Sequence, residues 1–143
     1  MSEGPARFVW YELMTTDPAA AESFYRGVIG WETRDFGKPD VPYTLLSAGS
    51  TMVGGLMRIP EMALANGARP AWTGYVGVPD VDACVARVDA AGGRVHHPPE
   101  DIPGVGRFAV VADPQGAVFI VFRGSGDGAP RNQRPSAERR TAR

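Results

Sequence analysis

Apolar and polar residues alternate along Arg7–Met14, and this alternation predicts the first strand of the chain. The two predicted faces carry Phe8, Trp10, Glu12 and Met14 on one side and Val9, Tyr11 and Leu13 on the other. Glu12 is therefore a carboxylate on an otherwise apolar face. Burying it without a partner would be costly, so we expect either a functional role or an ion pair with an arginine such as Arg58 or Arg107.

A helical pattern follows this strand directly. Asp17 is a good N-cap, Pro18 suits the first helical position and Gly30 suits the end of the helix. The predicted apolar stripe consists of Ala21, Phe24, Tyr25 and Val28. The segment therefore reads as a strand, a capped helix and a glycine stop.

The same helix-start and helix-end residues recur 63 residues later, where Asp80 matches Asp17 and Gly93 matches Gly30. The pattern also predicts a short helix within Pro60–Arg69. The remaining predicted strands are Glu32–Asp35, Tyr43–Ala48, Met52–Met57, Ala71–Val78, Arg94–His97, Arg107–Ala112 and Val118–Phe122. The predicted fold class is α+β, with two βαβββ units, eight strands in curved sheets and one helix per unit on the outside.

The 143 residues suit one domain rather than two, so we assign residues 1–123 to a single domain with units at about 7–58 and 71–123. Residues 124–143 carry five arginines and little that could be buried, which predicts a disordered Arg-rich tail. The tail lacks interleaved aromatic residues, so we expect a solvated extension and no nucleic-acid partner.

Several classes of function are excluded or disfavoured by the sequence. A single cysteine, Cys84, cannot form a disulfide within one chain, and we expect it to be a small buried residue of the second helix. No apolar run approaches the roughly 20 residues of a membrane span, and the first residues do not resemble a signal peptide. Walker, GxSxG and zinc-protease motifs are absent from the sequence. We therefore expect a cytoplasmic protein without a membrane partner.

Three segments are distinctive: Asp17 to Trp31, Val81 to Gly93, and Asp113 to Gly116. They resemble the vicinal oxygen chelate superfamily, which includes glyoxalase I, bleomycin-binding proteins, extradiol dioxygenases and methylmalonyl-CoA epimerase. The resemblance covers residues 8–123. More narrowly, the segments 9–17 and 102–116 are similar to a bacterial subgroup of glyoxalase-like proteins and hydroxylases. The resemblance implies that the strands form a cup that holds a ligand, and by analogy it also implies a homodimer.

Superfamily members that hold a metal place two histidines and two carboxylates in this cup. By the resemblance, those positions fall on Trp10, on Thr73, within Gly54–Met57 and on Ile120. None of these residues is a usual metal ligand. We therefore predict that the metal site is lost, with no metal and no cofactor.

What remains at the predicted cup is suited to a small organic ligand. Glu12, Tyr75 and Thr73 are the candidate catalytic residues, with Glu12 moving a proton and the other two orienting an oxygen. An apolar surround would raise the pKa of Glu12 towards a useful range. The candidate ligand-binding residues, equally compatible with plain core packing, are Phe8, Trp10, Met57, Ile120 and Phe122.

The leading hypothesis is thus a metal-independent protein that binds, and in its catalytic form transforms, a small apolar or aromatic metabolite. Isomerisation, ring closure and cofactor-independent hydroxylation all fit this pattern, so an enzyme of the lyase, isomerase or hydroxylase type is expected in the catalytic form. Three alternatives stay open: a drug-sequestering protein without catalysis, a metal-dependent glyoxalase or dioxygenase with relocated ligands such as His96 with Glu12, and an interaction module without a cavity. His96 and His97 end a predicted strand, so they face opposite ways and cannot both bind one metal. The two prolines that follow favour an extended, exposed loop, and we expect both histidines at the surface.

Overall fold

Eight strands and three helices form the part of the chain that the structure describes, residues 6–125 of a computed structural model. In chain order they are β1 (Arg7–Thr15), α1 (Pro18–Val28), β2 (Glu32–Asp35), β3 (Thr44–Ala48), β4 (Thr51–Arg58), α2 (Glu61–Ala65), β5 (Ala71–Gly77), α3 (Val81–Ala90), β6 (Arg94–Ile102), β7 (Gly106–Ala112) and β8 (Val118–Gly124). The α+β class and the order of the elements are as predicted. The predicted tail lies outside the described residues from residue 126 onward.

The described residues divide into two compact units, one of residues 10–73 and one of residues 6–9 with 74–125. In the first, the strand order is β2-β3-β4-β1, and in the second it is β6-β7-β8-β5. In each unit the strand before the long helix pairs in parallel with the last strand, and the other pairs are antiparallel. The repeat read from the sequence therefore corresponds to two units of equivalent internal order.

Both long helices begin where the aspartate pattern predicts. The Asp17 carboxylate accepts a hydrogen bond from the backbone N–H of Ala20 at 3.1 Å, and the Asp80 carboxylate accepts one from that of Ala83 at 3.0 Å. Each bond satisfies an N–H that has no partner within the helix. After α1, Gly30 adopts a φ of +90°, a backbone conformation that favours glycine.

The predicted apolar stripe of α1 is only half buried. Ala21 and Tyr25 pack against the buried leucines of the 10–73 unit, whereas Phe24 and Val28 are mostly exposed. Residues four apart lie on one line of a helix, and here only one such line faces the core. The core cluster itself consists of Leu13, Leu46 and Leu56.

The second unit has its own core beneath α3, formed by Val81, Ala109, Val111 and Val121. Cys84 packs against this cluster and is half-buried, consistent with the expected small apolar role.

Strand β6 is longer than predicted, and this corrects the loop assigned to the residues after His97. The strand continues through Pro98 and Pro99 to Ile102. It is the outermost strand of its unit, and its register with β7 shifts twice, between Val95 and His97 and between His97 and Glu100. A bulged edge strand tolerates proline because the missing N–H is not needed for the ladder.

Candidate functional site

Glu12 is the one charged side chain that is buried in the described part of the chain, with 3% of its surface exposed. It lies on β1, directly opposite Gly55 of the parallel strand β4. Its neighbour two residues earlier, Trp10, is also buried. A carboxylate in such surroundings needs hydrogen bonds to offset the loss of water.

Tyr43 supplies one of these hydrogen bonds. Its hydroxyl donates to Oε1 of Glu12 at 2.9 Å, and Nε1 of Trp10 donates to the Tyr43 oxygen at 3.0 Å. An indole N–H can only donate, so the Tyr43 oxygen is the acceptor of the first bond. An ionised carboxylate can only accept, so the Tyr43 hydroxyl is the donor of the second. We call Trp10, Tyr43 and Glu12 the Glu12 network.

Gly55 makes room for this arrangement. A Cβ atom built at Gly55 would overlap the hydroxyl and ring carbons of Tyr43. Any larger residue would therefore displace the phenol that donates to Glu12. The absence of a side chain at Gly55 is part of the site.

The Tyr43 hydroxyl remains a hydrogen-bond donor at neutral pH. Burial, and next the neighbouring Glu12 carboxylate, raise the pKa of the Tyr43 phenol far above its usual value. The tyrosine is therefore suited to orienting and stabilising the carboxylate, and not to giving up its own proton.

The partner of Glu12 was not identified from the sequence. An arginine was expected, but Arg58 donates to the carbonyl oxygen of Thr16, and Arg107 is held by the carboxylates of Asp82 and Asp101. Tyr43 lies 31 residues from Glu12 and just before β3. The sequence predicted it only as the first residue of a strand. The pair Gly54-Gly55, unusual within a strand, was the available signal for a close approach.

The other candidate residues lie as follows. Tyr75 and Phe122 make an edge contact in the 6–9 and 74–125 unit, with ring centroids 5.7 Å apart, and Tyr75 pairs with Ile120 in the β5–β8 register. Ile120 and Phe122 are buried, whereas Phe8 is 55% exposed and its ring lies over Gly74. In the 10–73 unit, Met57 and Thr73 are half-buried, and Met57 pairs with Met14.

The four positions that the resemblance assigns to metal ligands hold residues that do not suit a metal ion. The indole nitrogen of Trp10 carries a hydrogen that it donates to Tyr43, and Ile120 is a buried hydrocarbon side chain. Gly54–Met57 contains no imidazole or carboxylate, and Thr73 offers only a hydroxyl. Across residues 6–125, no group of three or more His, Cys, Asp or Glu side chains is placed to hold a metal ion.

The two histidines do not act together. His97 makes a hydrogen bond of 2.6 Å with Oε1 of Glu100 and stacks on Phe108 with ring centroids 5.1 Å apart, while His96 is exposed. The contact between Glu100 and His97 lies on β6.

A second group of aromatic residues lies at α1 in the 10–73 unit. Tyr25 stacks on Trp31 at a centroid distance of 5.9 Å, Trp72 meets both rings edge-on, and its Nε1 donates to the Tyr25 hydroxyl at 3.1 Å. These contacts join Tyr25 of α1 to Trp31, just before β2, and to Trp72, all within the 10–73 unit.

The fold and the sequence together define the class of protein. The chain belongs to the glyoxalase/bleomycin resistance protein/dioxygenase superfamily, whose model matches residues 7–121. Within the described residues, no helix is both long and apolar enough to cross a membrane.

Two kinds of curated relative are similar in sequence. A Mycobacterium tuberculosis protein named "Putative glyoxylase CFP32" is 42% identical over 116 residues, which cover 80% of this chain and 43% of the relative. The anthracycline biosynthesis protein DnrV of Streptomyces peucetius is 36% identical over 130 residues, covering 83% of this chain and 47% of the relative. The chain thus spans less than half the length of both.

Solved structures support the fold. A hypothetical protein of Bacillus halodurans superimposes with a TM-score of 0.60 at 13% identity, over 82% of this chain and 94% of that one. Methylmalonyl-CoA epimerase of Streptomyces coelicolor, in complex with 2-nitronate-propionyl-CoA, gives a TM-score of 0.58 at 20% identity, over 83% and 97%. At these identities the similarity concerns the fold alone.

Proposed function

We propose that the chain is a metal-independent binding protein or enzyme of this superfamily that acts on a small apolar or aromatic metabolite, with Glu12 as its proton acceptor. The observation that carries the proposal is the Glu12 network: a buried carboxylate, oriented by a tyrosine that is itself oriented by a tryptophan. The relative DnrV is named an anthracycline biosynthesis protein, and anthracyclines contain fused aromatic rings, which supports an aromatic ligand.

In the catalytic form, the carboxylate of Glu12 takes a proton from a C–H or O–H group of the ligand. The ligand bond to hydrogen breaks, an O–H bond forms on Glu12, and the electron pair remains on the ligand as an enolate or phenolate. Return of the proton to a different atom completes an isomerisation. Tyr43 keeps the carboxylate in one orientation throughout, while Tyr75 and Thr73 remain the candidates for orienting a ligand oxygen.

The substitution Glu12→Gln tests the acid–base role, because it keeps the shape and removes the base. For an enzyme we expect turnover to fall by about a hundredfold or more while ligand affinity changes little. The measurement is kcat and KM, or the dissociation constant, on a ligand found by screening aromatic metabolites. Glu32→Gln, at an exposed position of β2, is the matched control and leaves both quantities unchanged.

A protein that only sequesters its ligand is the main alternative. The superfamily includes bleomycin resistance proteins, which favours this alternative. In that case binding depends on shape and apolar contact. Glu12→Gln then has no turnover to reduce, and the wild-type protein returns the ligand chemically unchanged after prolonged incubation.

Metal removal separates the proposal from a metal-dependent enzyme with relocated ligands, such as His96 with Glu12. Because the residues at the four superfamily metal positions do not fit a metal, we expect dialysis against a chelator to change neither ligand affinity nor the melting temperature. Elemental analysis and titration with divalent zinc, manganese and nickel check this. Tight stoichiometric binding, or activity restored by one of these ions, would contradict metal independence.

We further propose a homodimer and a cytoplasmic location, both by analogy with the superfamily. Light scattering on the purified chain and fractionation of its host test these two points.

A further inference from the structure

Every donor hydrogen of the Glu12 network is used inside the network. The single N–H of the Trp10 indole goes to Tyr43, and the single O–H of Tyr43 goes to Glu12. An ionised carboxylate has no hydrogen of its own to offer. The side chains of the network therefore hold acceptor atoms and negative charge, but no donor hydrogen beyond the two already used.

The charge of the network points the same way. Burial raises the pKa of the Tyr43 phenol most, and the ionised Glu12 carboxylate, 2.9 Å from the phenol oxygen, raises it further. A buried carboxylate of this kind repels a second anion far more strongly than it would in water, because few water molecules screen the two charges.

From these two observations we infer the chemical class of the ligand: the group that meets Glu12 is a neutral hydrogen-bond donor, such as a phenol or enol hydroxyl, and not a carboxylate or phosphate. This inference rests on the proposed function, since it assumes that the ligand meets the Glu12 network. It narrows that function from apolar or aromatic metabolites in general to those that carry a neutral hydroxyl.

The recognition has two parts. The hydroxyl of the ligand donates to the carboxylate, and this replaces the water lost on burial with a charge-assisted hydrogen bond. The ring of the ligand buries apolar surface, which contributes to affinity without regard to the polar group. A comparison of two ligands that have the same ring and different polar groups therefore measures the contribution of the polar group alone.

Naphthol and naphthoate, substituted at the same ring position, make such a pair, because at neutral pH the first is neutral and the second is an anion. We expect the full chain to bind naphthol at least about tenfold more tightly than naphthoate. Isothermal titration calorimetry measures both affinities. In Glu12→Gln the preference should shrink towards parity, chiefly because naphthoate binds more tightly. The neutral amide still accepts a hydrogen bond from naphthol, and it can also donate to the anion without repelling it. In the control Glu32→Gln the preference should stay at the wild-type value.

Each outcome is decisive. A naphthol preference that depends on Glu12 supports the inference. Equal affinity for the two compounds, or tighter binding of naphthoate, overturns the inference but leaves small aromatic binding intact. Binding of neither compound overturns the proposed function, and with it the inference. If Glu12→Gln keeps the wild-type preference for naphthol over naphthoate, another group of the protein binds the hydroxyl, and the inference is overturned.

Discussion

Replacing Gly55 by alanine is expected to destabilise the protein by about 3 kcal/mol, near the upper end of the usual cost of overpacking a core. The reason is local: the added methyl group would occupy the space of the Tyr43 hydroxyl and ring. To relieve the overlap, the phenol must leave its bonds to Glu12 and Trp10, and burial then leaves those groups less well satisfied. Urea unfolding followed by circular dichroism measures the loss.

Two comparisons make this prediction specific. Gly27→Ala is the same chemical change in helix α1, where no atom lies near the new methyl group, and it should stabilise the protein by up to about 1 kcal/mol. In a Tyr43→Ala background the overlap is gone, so Gly55→Ala should cost less than about 1 kcal/mol there. An equal cost with and without Tyr43 would show that the clash is not the cause.

Leu46→Ala is expected to reduce the free energy of unfolding by about 2 to 5 kcal/mol. Leu46 is fully buried in the centre of the 10–73 unit and packs with Leu13 and Leu56 beneath α1. Its truncation removes favourable burial and leaves a cavity that the paired strands around it cannot close.

Leu64→Ala is the matched control for this second prediction. Leu64 lies in the short helix α2 and is 39% exposed, so the same truncation should cost about 1 kcal/mol or less. The two variants differ in burial and not in chemistry. Similar losses would mean that Leu46 does not anchor the core.

The parts of the fold that depend on local chemistry could be predicted from the sequence. Asp17 and Asp80 each accept a backbone N–H three residues on, and this bond needs nothing from the rest of the chain. The 63-residue repeat of such signals was enough to predict the two βαβββ units. The superfamily came from the resemblance of three segments, and the family model confirms it.

The prediction was weaker where structure depends on distant partners. Pro98 and Pro99 argued for a loop, but they lie in a bulged edge strand, a position that only the pairing of β6 with β7 reveals. Glu12 was recognised as costly to bury, but its partner comes from Tyr43, which is brought to it by the register of β3 and β4 over Gly55. The periodicity of the sequence predicts which face of its own strand a side chain occupies. It does not predict which residues of other strands contact that side chain.

The positions of the aromatic residues give the protein a built-in optical probe. All three tryptophans of the chain, Trp10, Trp31 and Trp72, belong to the 10–73 unit, and residues 6–9 and 74–125 contain none. Tryptophan emission therefore reports on one unit alone, whereas circular dichroism reports on both. Trp31 and Trp72 are in edge contact with each other, whereas Trp10 is hydrogen-bonded to Tyr43. Replacing Trp31 and Trp72 by phenylalanine would therefore leave Trp10 as the single tryptophan emitter, linked through Tyr43 to Glu12.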